Sequence, residues 1–177
     1  GQLAVVPPGW SVTYRFAVAA IAMFAFAAIR REPLLLAPRA MLFAAVLGTA
    51  QFAFNFNFVY RAEQHITSGL VAVLFALLIV PNTLLGRAFL KTPLEGRFLA
   101  GAGIAIAGVG LMILHEYRVA AVGAGEVLLG TMLTLAGVMS ASTANVMQGT
   151  RIARAQSMVV MIAWAMLFGA LADGSYA

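Results

Sequence analysis

Residues 52–58 read Phe52-Ala53-Phe54-Asn55-Phe56-Asn57-Phe58, an alternation of aromatic with small or polar residues at period two. In a soluble protein such alternation marks a half-buried strand. Here, however, the stretch lies inside an uncharged run, 40–60. A helix needs about 20 apolar residues to cross a hydrocarbon core of about 30 Å. An open strand at that depth leaves its backbone groups unpaired, and a closed barrel needs many alternating segments. This chain has one such segment. Helix is therefore the better reading, and it makes the fold class all-α, a polytopic membrane helix bundle.

Working outward from 40–60, similar apolar runs occupy 11–29, 66–86, 98–114, 127–150 and 155–172, giving six spans with short connections. Composition agrees: of 177 residues, 63% are hydrophobic and 10% charged, against about 25% charged in a soluble domain. The mean hydropathy is +0.96. The net charge of +5 suggests nucleic acid, but the charges sit singly or in pairs between apolar runs rather than on one patch. Lipid is the expected environment and nucleic acid is excluded. With no cysteine, disulfides and thiolate metal sites are excluded too.

The basic residues fix an orientation. If the first span enters from outside, the inner loops collect Arg30, Arg31, Arg39, Arg87, Lys91, Arg97, Arg151 and Arg154, eight in all, against Arg15, Arg61 and Arg118 outside. Cytoplasmic loops are enriched in Lys and Arg, so this orientation is favoured, in a bacterial inner (plasma) membrane. Gly1 is not an initiator methionine, Pro7-Pro8 interrupts the first apolar residues, and the chain stops just after an apolar run. It reads as a fragment.

At 100° per residue, Ala44, Gly48, Gln51 and Asn55 form one stripe of the second span. Gly130, Thr134, Gly137, Ala141, Ala144, Asn145 and Gln148 do the same in the fifth. Polar groups at this depth face a cavity or a neighbouring helix, so the amides have two readings, a solute pathway or interhelical glue. Pro81, in Pro81-Asn82-Thr83, removes a backbone hydrogen bond and predicts a kink, either passive or a hinge. Asn82 falls on the stripe of Ser68, Ala72 and Ile79. The fourth span carries Gly96, Ala100, Gly103, Ala107 and Gly110, which predicts close helix packing. Arg15 lies inside the first span, whereas Glu63 and Asp173 read as solvated span ends and His65 as an interfacial residue that makes a hydrogen bond; no carboxylate is expected at mid-membrane. Enzyme signatures are absent: no His-Glu-x-x-His, nucleophile elbow, acidic metal-diphosphate pair or Gly-Lys-Ser/Thr loop occurs. The chain is read as a non-enzyme without catalytic residues, metal or cofactor.

Tyr60-Arg61-Ala62-Glu63, Ser68-Gly69-Leu70-Val71-Ala72-Val73, Pro81 with Leu84-Leu85-Gly86, and the glycine-rich span from Gly96 together resemble the EamA-type transporters of the drug/metabolite superfamily. Arg15-Phe16 is similar to the start of that family's second span. Ser142, Asn145 and Gln148 resemble the opening of its second repeat, and Ala163-Trp164-Ala165-Met166 the span after it. Where members usually carry Gly-Glu this chain has Gly86-Arg87, so no role passes to that position.

The resemblance implies ten helices in two inverted five-helix repeats. Residues 1–118 would then be the first repeat, without its first helix, and 119–177 the start of the second, without its last three. It also implies alternating-access transport, as export, of a small organic metabolite such as an amino acid. Gln51, Asn55, Asn82, Asn145 and Gln148 would offer uncharged hydrogen bonds, Trp164 and Tyr14 aromatic walls, Arg15 a charge, and Pro81 the hinge. The rival is a non-transporting membrane scaffold or assembly subunit. Oligomeric state is open.

Overall fold

The computed structural model describes residues 8–119 and 123–175. Every regular element among them is helical: α1 Pro8–Ile29, α2 Pro38–Gly48, a π-helical turn Thr49–Phe54, α3 Asn55–Ala62, α4 Ser68–Ala76, α5 Ile79–Leu90, α6 Gly96–Val119, α7 Ala124–Gln148, α8 Arg151–Arg154 and α9 Met158–Gly174. Among the described residues, five stretches are long and apolar enough to cross a membrane: Trp10–Ile29, Pro38–Ala62, Ser68–Leu90, Gly96–Val119 and Ala124–Gln148. α9 is a shorter apolar helix of 17 residues, at the lower end of the roughly 17–25 residues that span hydrocarbon. The protein is a multi-pass helical membrane protein.

Local chemistry sets the boundaries. Pro38 stands in the first turn of α2, where its missing N–H costs nothing. Thr67 and Ser157 cap α4 and α9, their hydroxyls accepting from Leu70 N and Val160 N, each at 3.4 Å. α1 ends on Arg31 in the left-handed conformation (φ 55°), with Glu32 N bonded to Ala27 O and Arg31 N to Ala28 O. That is the paired pattern that satisfies the last carbonyls of a helix.

The kink expected at Pro81 is present as a break between α4 and α5. Proline has no N–H for the Leu77 carbonyl one turn back. Val80 N takes that carbonyl instead, at 2.9 Å, and Leu77 N and Leu78 N make tightened bonds to Leu74 O and Phe75 O. The freed acceptor is thus satisfied inside the span, as lipid requires.

The chain forms two compact units, 1–57 with 147–177, and 58–146. In the first, α1 runs antiparallel to α9: Thr13 meets Asp173, Phe24 meets Trp164, and Glu32 meets Ser157. Val12, Phe16, Ala20 and Ala27 are the buried seam of α1. α2 crosses α9 at two glycines, where backbones touch. A Cβ on Gly48 would lie 2.0 Å from Ala165 O, and one on Gly169 would lie 2.8 Å from Gly48 O. Only hydrogen fits at that crossing.

In the second unit, Ala62, Ile66, Leu70, Val71, Leu74, Val109 and Val127 form the core. α7 packs as its stripe foretold: Gly130, Thr134, Gly137, Ala141 and Ala144 are buried, while Leu128, Met132 and Met139 are exposed. α6 does not. Its core contact is Val109, flanked by the half-buried Ala102 and Ile113, and only 6% of its apolar window is buried. Among the described residues nothing lies within 4 Å of a Cβ placed on Gly96, Gly101, Gly103, Gly108 or Gly110. The small-residue packing expected on this span is found on α2 and α9. Larger side chains on the other side of α6 hold it in place, because they have apolar area to bury against α4 and the small residues have little.

Candidate functional site

The polar centre of the first unit is built on the stretch that decided the fold. Phe52 and Phe56, four residues apart, flank the Phe16 ring with centroids at 4.7 and 4.9 Å. Phe54 points outward, 48% exposed. The period-two alternation is thus absorbed by a helix through its i and i+4 positions. The turn Thr49–Phe54 widens to π geometry, with Asn55 N bonded to Ala50 O. Buried positions consequently step by four from Ala44 to Gly48, then by five to Ala53. Single-turn π segments concentrate at functional sites.

Gln51 lies on this turn and Asn55 at its end. Gln51 Oε1 and Asn55 Oδ1 are buried without a hydrogen-bond partner, and Asn55 as a whole is 5% exposed. A buried carbonyl without a donor costs on the order of 1–3 kcal/mol. Both amide oxygens can therefore accept from a ligand at little further desolvation cost.

Arg15 is exposed, its guanidinium 5.4 Å from the Phe56 ring centroid and 5.7 Å from that of Phe16. Its charge is spread over aromatic faces rather than pointed at a carboxylate. Tyr14 is 62% exposed and stacks on Trp10, so it forms no wall inside the unit. Trp164 is half-buried between Phe24 and Phe168, and its indole N–H donates to Leu34 O at 2.8 Å. It offers a ring face but no free donor. Gln148 is also engaged.

In the second unit the structure brings Asn82 and Asn145 together: Asn145 Nδ2 donates to Asn82 Oδ1 at 3.5 Å. Pro81 precedes Asn82 and so sets the turn that places it. Thr131 and Ser142 on α7 are buried, each with an unpartnered hydroxyl oxygen. His65 Nδ1 pairs with Glu126, so this histidine makes the hydrogen bond expected of it.

One expectation is overturned. Asp173, read as a solvated span end, is fully buried. Thr13 Oγ1 donates to its Oδ2 at 3.2 Å, and Asn57 Nδ2 donates to its Oδ1. Thr13 and Asn57 were missed as well, although Asn57 stands in the alternating stretch. One sign of it is a single acidic residue at the end of an otherwise uncharged helix.

Comparison with known proteins matches the EamA-like transporter family model over residues 2–114. Protein PagO of Salmonella typhimurium is 30% identical over 111 residues, which are 63% of this chain and 36% of PagO. The chain therefore spans about a third of that relative's length. No solved structure matches it. With apolar spans packed on glycine, a proline break satisfied internally and a family match over most of its length, the chain belongs to the EamA-like transporter family.

Proposed function

We propose that the protein carries a small organic metabolite across a bacterial inner membrane by alternating access, as export, within two inverted repeats of which 1–118 and 119–177 are parts. Family membership supports transport of a small solute. The observation that carries the site is the pair of unpartnered, buried amide oxygens on Gln51 and Asn55. Both are acceptors, so the solute they suit presents N–H donors, as an amino acid or related amine does. Inverted repeats that rock about a central site give such amides access to each side in turn.

The scaffold reading draws support from the other amide pair. Asn82 and Asn145 already bond to each other, as interhelical glue would. Asn55 decides between the two readings. In the full-length protein in liposomes, Asn55→Leu is expected to weaken solute binding by about 1–3 kcal/mol, the worth of one buried polar partner. Yield and melting temperature should hold or rise, since an unsatisfied oxygen is removed. Normal saturable flux with poorer folding would overturn the assignment in favour of glue.

A further inference from the structure

The fully buried carboxylate of Asp173 is used by nothing in the proposed pathway. It sits at the end of α9 and holds three elements together through Thr13 of α1 and Asn57 of α3. A carboxylate removed from water persists only when paired or hydrogen-bonded. Charged or titratable groups on the neighbouring elements are Tyr14 and Arg15 on α1, Arg39 on α2, Tyr60 and Arg61 on α3, and Arg151 and Arg154 on α8. Among the described residues none forms an ion pair with Asp173, and Arg15 lies over the rings of Phe16 and Phe56. Glu32 belongs to the opposite end of the α1–α9 pair, bonded to Ser157 and paired with Arg30.

The hydrogen-bond pattern says which ligand such a group takes. Asn57 Nδ2 donates both to Asp173 and to Ala53 O, the latter at 3.1 Å. Two acceptors around one atom identify it as the NH2, so the amide oxygen faces away from the carboxylate. A metal ion beside Asp173 would find two carboxylate oxygens and one hydroxyl, and turning the amide to supply another would break the bond to Ala53. Small hard cations need about six oxygens. A proton needs one. Thr13 suits both states of the acid, because its hydroxyl donates to the carboxylate and accepts from the carboxylic acid.

We propose that Asp173 is a proton-binding site, and that its proton couples to solute movement. One O–H bond forms on Oδ2 as one O–H bond of a hydronium ion breaks and leaves water, and no other covalent bond changes. Binding alters the hydrogen bond to Thr13, and through it the contact of α1 with α9. The coupling role rests on the transport reading, whereas proton binding does not.

The test uses the full-length protein in lipid nanodiscs, followed by infrared difference spectroscopy between acid and alkaline buffer, in sodium chloride and in choline chloride. Expected is a carboxylic-acid C=O band that disappears on alkalinisation in either salt. It should be lost in Asp173→Asn and shifted in frequency in Thr13→Val. The same titrating band in Asp173→Asn overturns the proposal, and so does a change brought about by sodium at fixed pH. Should Asp173→Asn fail to fold, an unshifted band in Thr13→Val overturns it. A silent titration beside normal solute flux would sink the proton site and leave transport standing. A titrating band without flux would do the reverse.

Discussion

Glycine and alanine recur at three- or four-residue helical spacing in two places, with opposite outcomes. On α2 and α9, Ala44 with Gly48 and Ala165 with Gly169 lie at a crossing so close that backbone meets backbone. On α6 the longer series from Gly96 to Gly110 faces open space. The spacing licenses close approach in both, since small residues let helices draw near and gain dispersion contacts. It does not supply the neighbour. What separates the cases is reciprocity: α2 presents a small pair to a small pair on α9, and no described helix offers α6 the same.

This contrast can be broken by substitution. The largest effect is expected for Gly48→Ala, whose methyl would stand 2.0 Å from the Ala165 carbonyl oxygen. Neither helix backbone can yield locally, so about 3 kcal/mol or more of stability should be lost, at or above the usual cost of overpacking. Thermal unfolding in detergent measures it, and a loss below about 1 kcal/mol, less than ordinary overpacking costs, would show that the crossing is looser than described.

Gly130→Ala is intermediate. Its methyl would meet Ile66 Cγ2 at 2.7 Å and Cγ1 at 2.9 Å, atoms of a side chain that can turn. A loss of about 1–2 kcal/mol is expected from that strain, and Ile66→Ala in the same chain should remove most of the coupling. Independent, additive losses would argue that the clash is not the cause.

Smallest is Gly103→Leu on α6, expected to change the stability of this chain by no more than about 0.5 kcal/mol, as for exposed positions elsewhere. A loss of several degrees in melting temperature in the full-length protein, with none in this chain, would sharpen the contrast differently. The glycine face would then be one that the full-length protein covers.

The same contrast explains what was legible in the sequence. Helix against strand at 52–58 could be decided because hydrocarbon forbids unpaired backbone, a constraint that needs no knowledge of neighbours. The break before Pro81 followed from its missing N–H, and the buried face of α7 from its periodicity. The open face of α6 and the burial of Asp173 were not legible, because each depends on what stands opposite. Thr13 is 160 residues from Asp173 along the chain, and Asn57 is 116. A lone aspartate at a helix end looks the same whether water or another helix lies beside it. Among the candidate residues, the stripe proposed Gln51 of the π turn and Asn55 of α3. The difference between Asn55, unpartnered, and Asn82, bonded to Asn145, was beyond its reach.

The π turn at Thr49–Phe54 bears on descent as well as shape. A turn closed by a bond from residue 55 back to residue 50 holds one residue more than an α-turn, so it is an insertion kept in register by everything after it. Deleting Ala50 would let the segment relax to α geometry, and because the narrower turn holds one residue fewer, 55–62 would keep the faces they present now. Asn57 would stay on Asp173, and Phe56 on Phe16. A homologue without the wide turn would align with this chain through a single-residue gap inside 49–54, in an otherwise colinear span. Wherever that gap occurs, an asparagine aligned to Asn57 and an aspartate aligned to Asp173 should still be found together.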